Sequence, residues 1–311
     1  MATIQSFLYC DNSTLANFKN WAQAISNAFT TFGWSQASDT GQVNWSTIST
    51  VPGSGALVYE IWQPNDGLTT FKLKMEYGNF TSQTNFPDIR ISLSNSSDGA
   101  GNLNGFVIGP FRLGCVTGLS SLGAVNTYEC DFSGAAGRFC CLMWRNGGMP
   151  ILFAIERSVN SSGGYTGSYV TLYSAGGNMQ FSGRTSARQQ SLVFGVGCAQ
   201  ASVSYVENSG TNAGSGLITR AFQPATAGSY GTNPQTYSFN GGIGVDFATP
   251  FVGYFDNPCT VIGVGEANDL AEGVPFTTTV YGTSHTYMPA GQGYLQNSTN
   301  INTYRPFMRY D

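Results

Sequence analysis

Along residues 14–32 the apolar positions follow a helical rhythm. Leu15, Phe18, Ala22, Ile25, Phe29 and Phe32 are spaced 3, 4, 3, 4 and 3 residues apart, which lines them up on one face of an α-helix. Trp21, Ala24 and Ala28 widen that stripe. Asp11, Asn12 and Ser13 offer side chains suited to capping the N-terminus, and Gly33 stands where a left-handed residue ends many helices. The stripe lasts under three heptads, too short for a stable zipper. It is therefore expected to pack on a sheet of its own chain.

Beyond Trp34 the rhythm changes to two. The clearest strands are expected over 57–62, 71–77 and 89–93. In the second, Phe71, Leu73, Met75 and Tyr77 alternate with Lys72, Lys74 and Glu76, so one face is buried and the other solvated. Residues 138–144 and 151–157 flank Asn146-Gly147, the preferred pair for a type I′ hairpin turn. Further strands are expected at 169–173, 191–196, 236–239, 260–264 and 276–281. Glycine-rich turns separate them, and no strand–helix alternation appears, which argues against a parallel α/β fold. The expected class is mainly β: antiparallel β-sandwich or jelly-roll-like sheets with one N-terminal amphipathic α-helix. Residues 1–180 are expected to form an N-terminal helix-plus-β domain and 181–311 a C-terminal β domain, with a boundary in 176–190 or none if the domain is continuous. Residues 207–215 and 224–234 read as long polar loops. No repeat of fixed period is visible.

Composition narrows the function classes. Only 10% of residues are charged, against roughly 25% in an average domain, and the polar remainder is Ser, Thr, Asn, Gln and 40 Gly. The lysines are Lys19, Lys72 and Lys74, and the net charge is −4. A nucleic-acid partner is not expected, because nothing forms the basic stripe that displaces counterions from phosphates. No run reaches the roughly 18 apolar residues of a membrane helix, so no membrane insertion is expected. Residues 1–10 lack a basic n-region, so synthesis in a cytosol without a signal peptide is expected. In that setting the seven cysteines read as reduced, buried hydrophobes without metal. Cys140 and Cys141 are adjacent, no Cys-x-x-Cys occurs, and one histidine cannot complete a Cys/His zinc set. The Asn-x-Ser/Thr matches read as chance in a chain this rich in those residues.

Catalytic chemistry is thinly supplied. A triad would have to use His285, the one histidine, in a stretch that reads as a strand end or tight turn, and no Gly-x-Ser-x-Gly elbow exists. Asp269 and Glu272 could serve as a glycosidase-like pair but read as a surface turn. Residues 97–102 (Ser-Asp-Gly-Ala-Gly-Asn) look like part of a calcium loop yet lack its further carboxylates, so a solvated turn is expected. Gly147-Gly148 and 241–244 are not followed by the lysine or helix of a phosphate cradle. The expectation is therefore no enzyme: no catalytic, cofactor-binding or metal-ligating residue is assigned, no cofactor is required, and the binding residues stay unknown. What remains is aromatic: 21 Phe, 16 Tyr and 5 Trp. A β-rich core consumes many of them, Phe71, Tyr77 and Phe153 included. Tyr230, Tyr237, Tyr254, Tyr294 and Tyr304 lie near Gly/Asn/Pro-rich stretches and suit a protein or sugar interface.

Three stretches carry a resemblance. The first is Phe18-Lys-Asn-Trp-Ala-Gln-Ala-Ile-Ser, through Phe32-Gly-Trp34, to Asp39-Thr-Gly-Gln-Val-Asn-Trp45. The second is Tyr59-Glu-Ile-Trp62 with Asn65-Asp-Gly-Leu68, then 71–78. The third is Thr279-Val-Tyr-Gly282 followed by Thr286-Tyr-Met-Pro289, with His285 where an arginine is expected. Together they resemble a group of uncharacterised structural proteins of tailed bacteriophages and prophages, the first two spanning about the first 80 residues. The resemblance implies a virion component in tail, baseplate, neck or capsid-attached fibre, and it supplies no catalytic or binding residue. The alternatives are a receptor- or carbohydrate-binding adhesin at a fibre tip and, more distantly, a polysaccharide-degrading tail enzyme. The expected partners are copies of itself, a trimer ahead of a ring of six, other virion proteins, and a host surface glycan or receptor. The expected location is the virion.

Overall fold

The structure, a computed structural model, describes residues 2–9, 11–53, 55–68, 71–79, 87–105, 107–113, 127–144, 151–159, 165–182, 185–195, 244–245, 253–255, 260–264, 275–280, 283–289 and 304–309. The chain opens with β1 (Ala2–Tyr9), α1 (Leu15–Thr31), β2 (Ser35–Gln36), β3 (Val58–Gln63), β4 (Lys72–Asn79) and β5 (Pro87–Ser94). It continues with β6 (Ser96–Ser97), β7 (Leu103–Asn104), β8 (Ile108–Leu113), β9 (Thr127–Ala135), β10 (Arg138–Trp144) and β11 (Ile151–Val159). After β12 (Tyr165–Ser182) and β13 (Thr185–Gly195) come the short β14 (Gly244–Val245) and β15 (Gly253–Phe255). The last four strands are β16 (Thr260–Val264), β17 (Phe276–Val280), β18 (Thr283–Pro289) and β19 (Tyr304–Arg309). The described region is mainly antiparallel β-sheet with one helix. The strands form ladders in the orders β1-β9-β10-β11-β12-β13, β2-β3-β4-β5-β8, β16-β19-β18-β17 and β6-β7. The short β15 joins β11 and β14.

The residue that caps the helix is Thr14, one after the trio expected to do so. Thr14 Oγ1 accepts from the Asn17 N–H at 3.1 Å, and the Asp11 carboxylate accepts from the Ser13 N–H and the Asn17 side-chain amide. Its C-terminus follows expectation. Gly33 adopts φ +83° and donates to Thr30 O, while Trp34 donates to Phe29 O. Of the expected stripe, Phe18, Ala22, Ile25, Phe29 and Phe32 are buried and Leu15 packs on the core edge.

Register explains what α1 packs against. Val58, Tyr77 and Ile89 lie opposite one another across β3, β4 and β5, as do Glu60, Met75 and Ile91, and Trp62, Leu73 and Leu93. Residues directly opposite share a face, so these nine side chains tile one side of the sheet. Eight are apolar or aromatic and the ninth is a glutamate. The same core takes Cys130, Phe132, Phe139, Cys141 and Ile155 from the β9-β10-β11 ladder. Phe29 joins the two sheets: its ring stacks on Phe139 at 3.7 Å between centroids and on Trp62 at 5.2 Å.

Where α1 meets β9, Gly134 leaves room for the Phe32 ring. A Cβ there would sit 2.5 Å from Phe32 Cδ2 and 2.7 Å from the Arg138 carbonyl oxygen. The ring can turn, but the carbonyl belongs to the β9–β10 ladder and cannot. Gly134→Ala is expected to cost about 1–3 kcal/mol as overpacking. Chemical denaturation checks this, and an unchanged midpoint speaks against the tight fit.

The expected strands at 57–62, 71–77, 89–93, 138–144, 151–157, 260–264 and 276–281 correspond to β3, β4, β5, β10, β11, β16 and β17 within one or two residues. Those at 169–173 and 191–196 fall on β12 and β13, and the stretch 176–190, where a domain boundary is expected, lies on the same two strands and their link. The strand at 236–239, the turn at Asn146-Gly147 and the loops at 207–215 and 224–234 lie outside the described residues. No strand was expected at β1, β8, β9, β18 and β19, nor at the two- and three-residue strands β2, β6, β7, β14 and β15. No helix among the described residues is long and apolar enough to cross a membrane.

Candidate functional site

The residues singled out for chemistry do not converge. His285 lies on β18, with its backbone opposite Thr278 of β17, inside a strand and not at its end or in a turn. Asp269, Glu272, the glycines at 147–148 and 241–242, Tyr230, Tyr237 and Tyr294 lie outside the described residues. Tyr254 falls on β15 and Tyr304 opens β19. Among the described residues no group of three or more His, Cys, Asp or Glu side chains is placed to hold a metal ion.

The calcium-like stretch closes on itself. The Asp98 carboxylate accepts from the Asn102 side-chain amide at 2.7 Å and from the N–H groups of Ala100 and Asn102. Those hydrogen bonds, the Asn102 side chain foremost, hold the Asp98 carboxyl below its usual range. Asp39, nearly buried, ties the same turn to the chain before β3 by accepting from Ser97 Oγ and the Gly101 N–H. The Lys74 ammonium donates to Gly101 O at 3.0 Å and sits 4.4 Å above the Tyr59 ring. These carboxylates are committed to fastening the 97–102 turn over the outer face of the sheet.

The second constellation lies inside. Glu60 is 1% exposed, in the middle of the tiled face and under α1. Its Oε1 accepts from Ser26 Oγ at 2.7 Å and from the Trp45 indole N–H at 2.8 Å. Trp45 Nε1 also lies 3.1 Å from Ser26 Oγ. The other oxygen, Oε2, has no hydrogen-bond partner, and neither do the Trp62 indole N–H and the Tyr77 hydroxyl, which approach the same carboxyl outside hydrogen-bonding geometry. Burial raises the Glu60 carboxyl above its usual range, and the donors around it offset only part of that. Burial likewise holds the Tyr77 phenol well above its ordinary value, reinforced by Glu60 and Cys141. A general acid or base must reach a proton on its substrate, and helix, sheet and indole enclose this carboxyl. Its chemistry is that of a buried polar link between α1, β3 and the 44–48 turn.

Cys130, Cys140 and Cys141 are buried, and the sulfurs of Cys130 and Cys141 lie 3.8 Å apart. Cys10, Cys115, Cys198 and Cys259 lie outside the described residues.

No family model, curated protein or solved structure matches this chain. The Glu60 link was absent from the sequence reading although half of it was visible there. The two-residue period places Glu60 on the face of Val58 and Trp62, and Ser26 stands on the apolar stripe of α1. Two polar residues on facing apolar surfaces mark a buried pair.

Proposed function

We propose that this protein is a structural component of a tailed-bacteriophage particle, acting by assembly in the tail, baseplate, neck or a capsid-attached fibre. One observation supports the reading above others. The stretches that resemble phage structural proteins supply Phe18, Trp21, Ile25, Phe32, Trp34, Trp45, Trp62, Leu73 and Tyr77, and these side chains meet in or against one core. The resemblance therefore follows the residues that build the packed unit. The enclosure of Glu60 agrees with a role in assembly over one in catalysis. Under this reading the described ladders belong to an antiparallel β-sandwich or jelly-roll-like architecture. The partners are copies of this chain, a trimer ahead of a ring of six, together with other virion proteins.

The test is mass spectrometry of gradient-purified particles from the phage or prophage that encodes the chain. Recovery at a fixed ratio to the major capsid protein is expected. A chain abundant in the lysate but missing from the particles overturns the proposal. Light scattering of the purified protein should give a multiple of 33.1 kDa, and a monomer that also sits as single copies on the particle overturns the oligomer.

A further inference from the structure

The two oxygens of Glu60 are treated differently by their surroundings. Oε1 receives two donors, Ser26 Oγ–H and Trp45 Nε1–H, as the carbonyl oxygen of a carboxylic acid can. Oε2 receives none within hydrogen-bonding geometry, and the Trp62 N–H and Tyr77 O–H beside the carboxyl offset only part of the cost of burying its charge. A proton on Oε2 directed at the Tyr77 oxygen would satisfy both atoms without that cost. An ionised Glu60, by contrast, would be a buried anion with no cation to pair it. On α1, Ser26 is the polar residue facing it, and Lys19 lies off the buried stripe. The 44–48 turn brings Trp45 and no charged residue, and β3 brings Trp62. From β4 the facing titratable group is Tyr77, while Lys72, Lys74 and Glu76 alternate onto the outer face. On β5, Arg90 lies opposite Glu76 and Asp88 opposite Gly78, so both follow that outer alternation. From the second sheet the thiols of Cys130 and Cys141 enter the same core, and Cys141 bears on Tyr77.

We propose that Glu60 is a proton-dependent latch between α1 and the β3-β4-β5 sheet, closed when its carboxyl is neutral and loosened when it ionises. The direction follows from linkage. Burial makes the folded protein hold this proton to a higher pH than the unfolded chain does. Between the ordinary glutamate range and the raised folded value the native state binds more protons. The contribution of Glu60 is therefore greatest in acid and declines as pH rises through that window. This is opposite in sign to the usual salt-bridged carboxylate.

The test compares thermal unfolding of the wild-type protein and Glu60→Gln from about pH 4.5 to about pH 8, a span that begins at the ordinary glutamate range. The amide oxygen can accept from Ser26 and Trp45 while its NH2 donates to Tyr77, so the variant imitates the neutral acid. The expected result is near-equal midpoints at the acid end and a variant that becomes progressively more stable than wild type toward pH 8. Parallel curves overturn the latch, as does a variant less stable by the same amount throughout. Should Glu60→Gln fail to fold, infrared titration of the wild-type protein decides. A protonated-carboxyl band persisting above about pH 6, beyond the range of exposed acids, is expected. Its absence overturns the proposal.

Discussion

Phe29→Ala is expected to lower the unfolding free energy by about 3–5 kcal/mol, the usual loss for removing a buried phenylalanine. The ring is fully buried and held on three sides. Phe139 of β10 stacks at an interplanar angle of 8°, Trp62 of β3 at 13°, and Trp34 meets it edge-on at 72°. Those neighbours come from two sheets and from the chain after α1, so no single small movement lets all three close on the vacated space. A site that cannot collapse keeps its cavity and incurs the full cost. Equilibrium denaturation followed by tryptophan fluorescence reads the loss, with Trp34 and Trp62 beside the substitution as reporters. A loss under about 1 kcal/mol, the cost of a substitution in a site that repacks, would mean that Phe29 does not join the sheets.

The parts of this fold that were legible in sequence are those whose partners are near or whose two faces differ. The stripe of α1 and the alternation of β4 each carry their environment in a local period, solvent on one side and core on the other. β9 carries the alternation too, Tyr128, Cys130 and Phe132 against Glu129, Asp131 and Ser133, but its polar side is not a solvated one: Asp131 and Ser133 are as buried as Cys130 and Phe132. β1 has no regular period at all. Its pairing runs from Ala2 opposite Gly134 to Tyr9 opposite Thr127, a ladder between segments more than a hundred residues apart that no local window can contain. Helix capping shows the same limit at small scale. Asp11, Asn12, Ser13 and Thr14 are all capping residues, and only the contacts of the folded chain decide between them. Thr14 caps, Asp11 braces the first turn, and Asn12 turns inward. The inner site shows it again, since Glu60 and Ser26 sit on legible faces while Trp45 arrives from an irregular turn with no periodic signal.

Trp21 gives the second large effect, and a pair of substitutions separates its packing from its hydrogen bond. The indole is fully buried, meets Phe18 edge-on at 5.4 Å and Tyr77 at 6.0 Å, and donates to Asn12 Oδ1 at 3.0 Å. Asn12 is itself buried, and its amide donates to Gly78 O and Asn79 Oδ1 at the end of β4. The chain before α1, the helix and the sheet are thus fastened through one amide. Trp21→Ala removes both ring and N–H and is expected to cost about 3–5 kcal/mol. Trp21→Phe keeps most of the apolar volume and loses the donor, so about 1–2 kcal/mol is expected, the range of a single hydrogen bond plus imperfect refilling. Denaturant midpoints of the two variants measure both numbers. Equal losses in the two would assign the whole effect to the hydrogen bond. A Trp21→Phe protein as stable as wild type would mean that Asn12 orders the start of the helix without the indole.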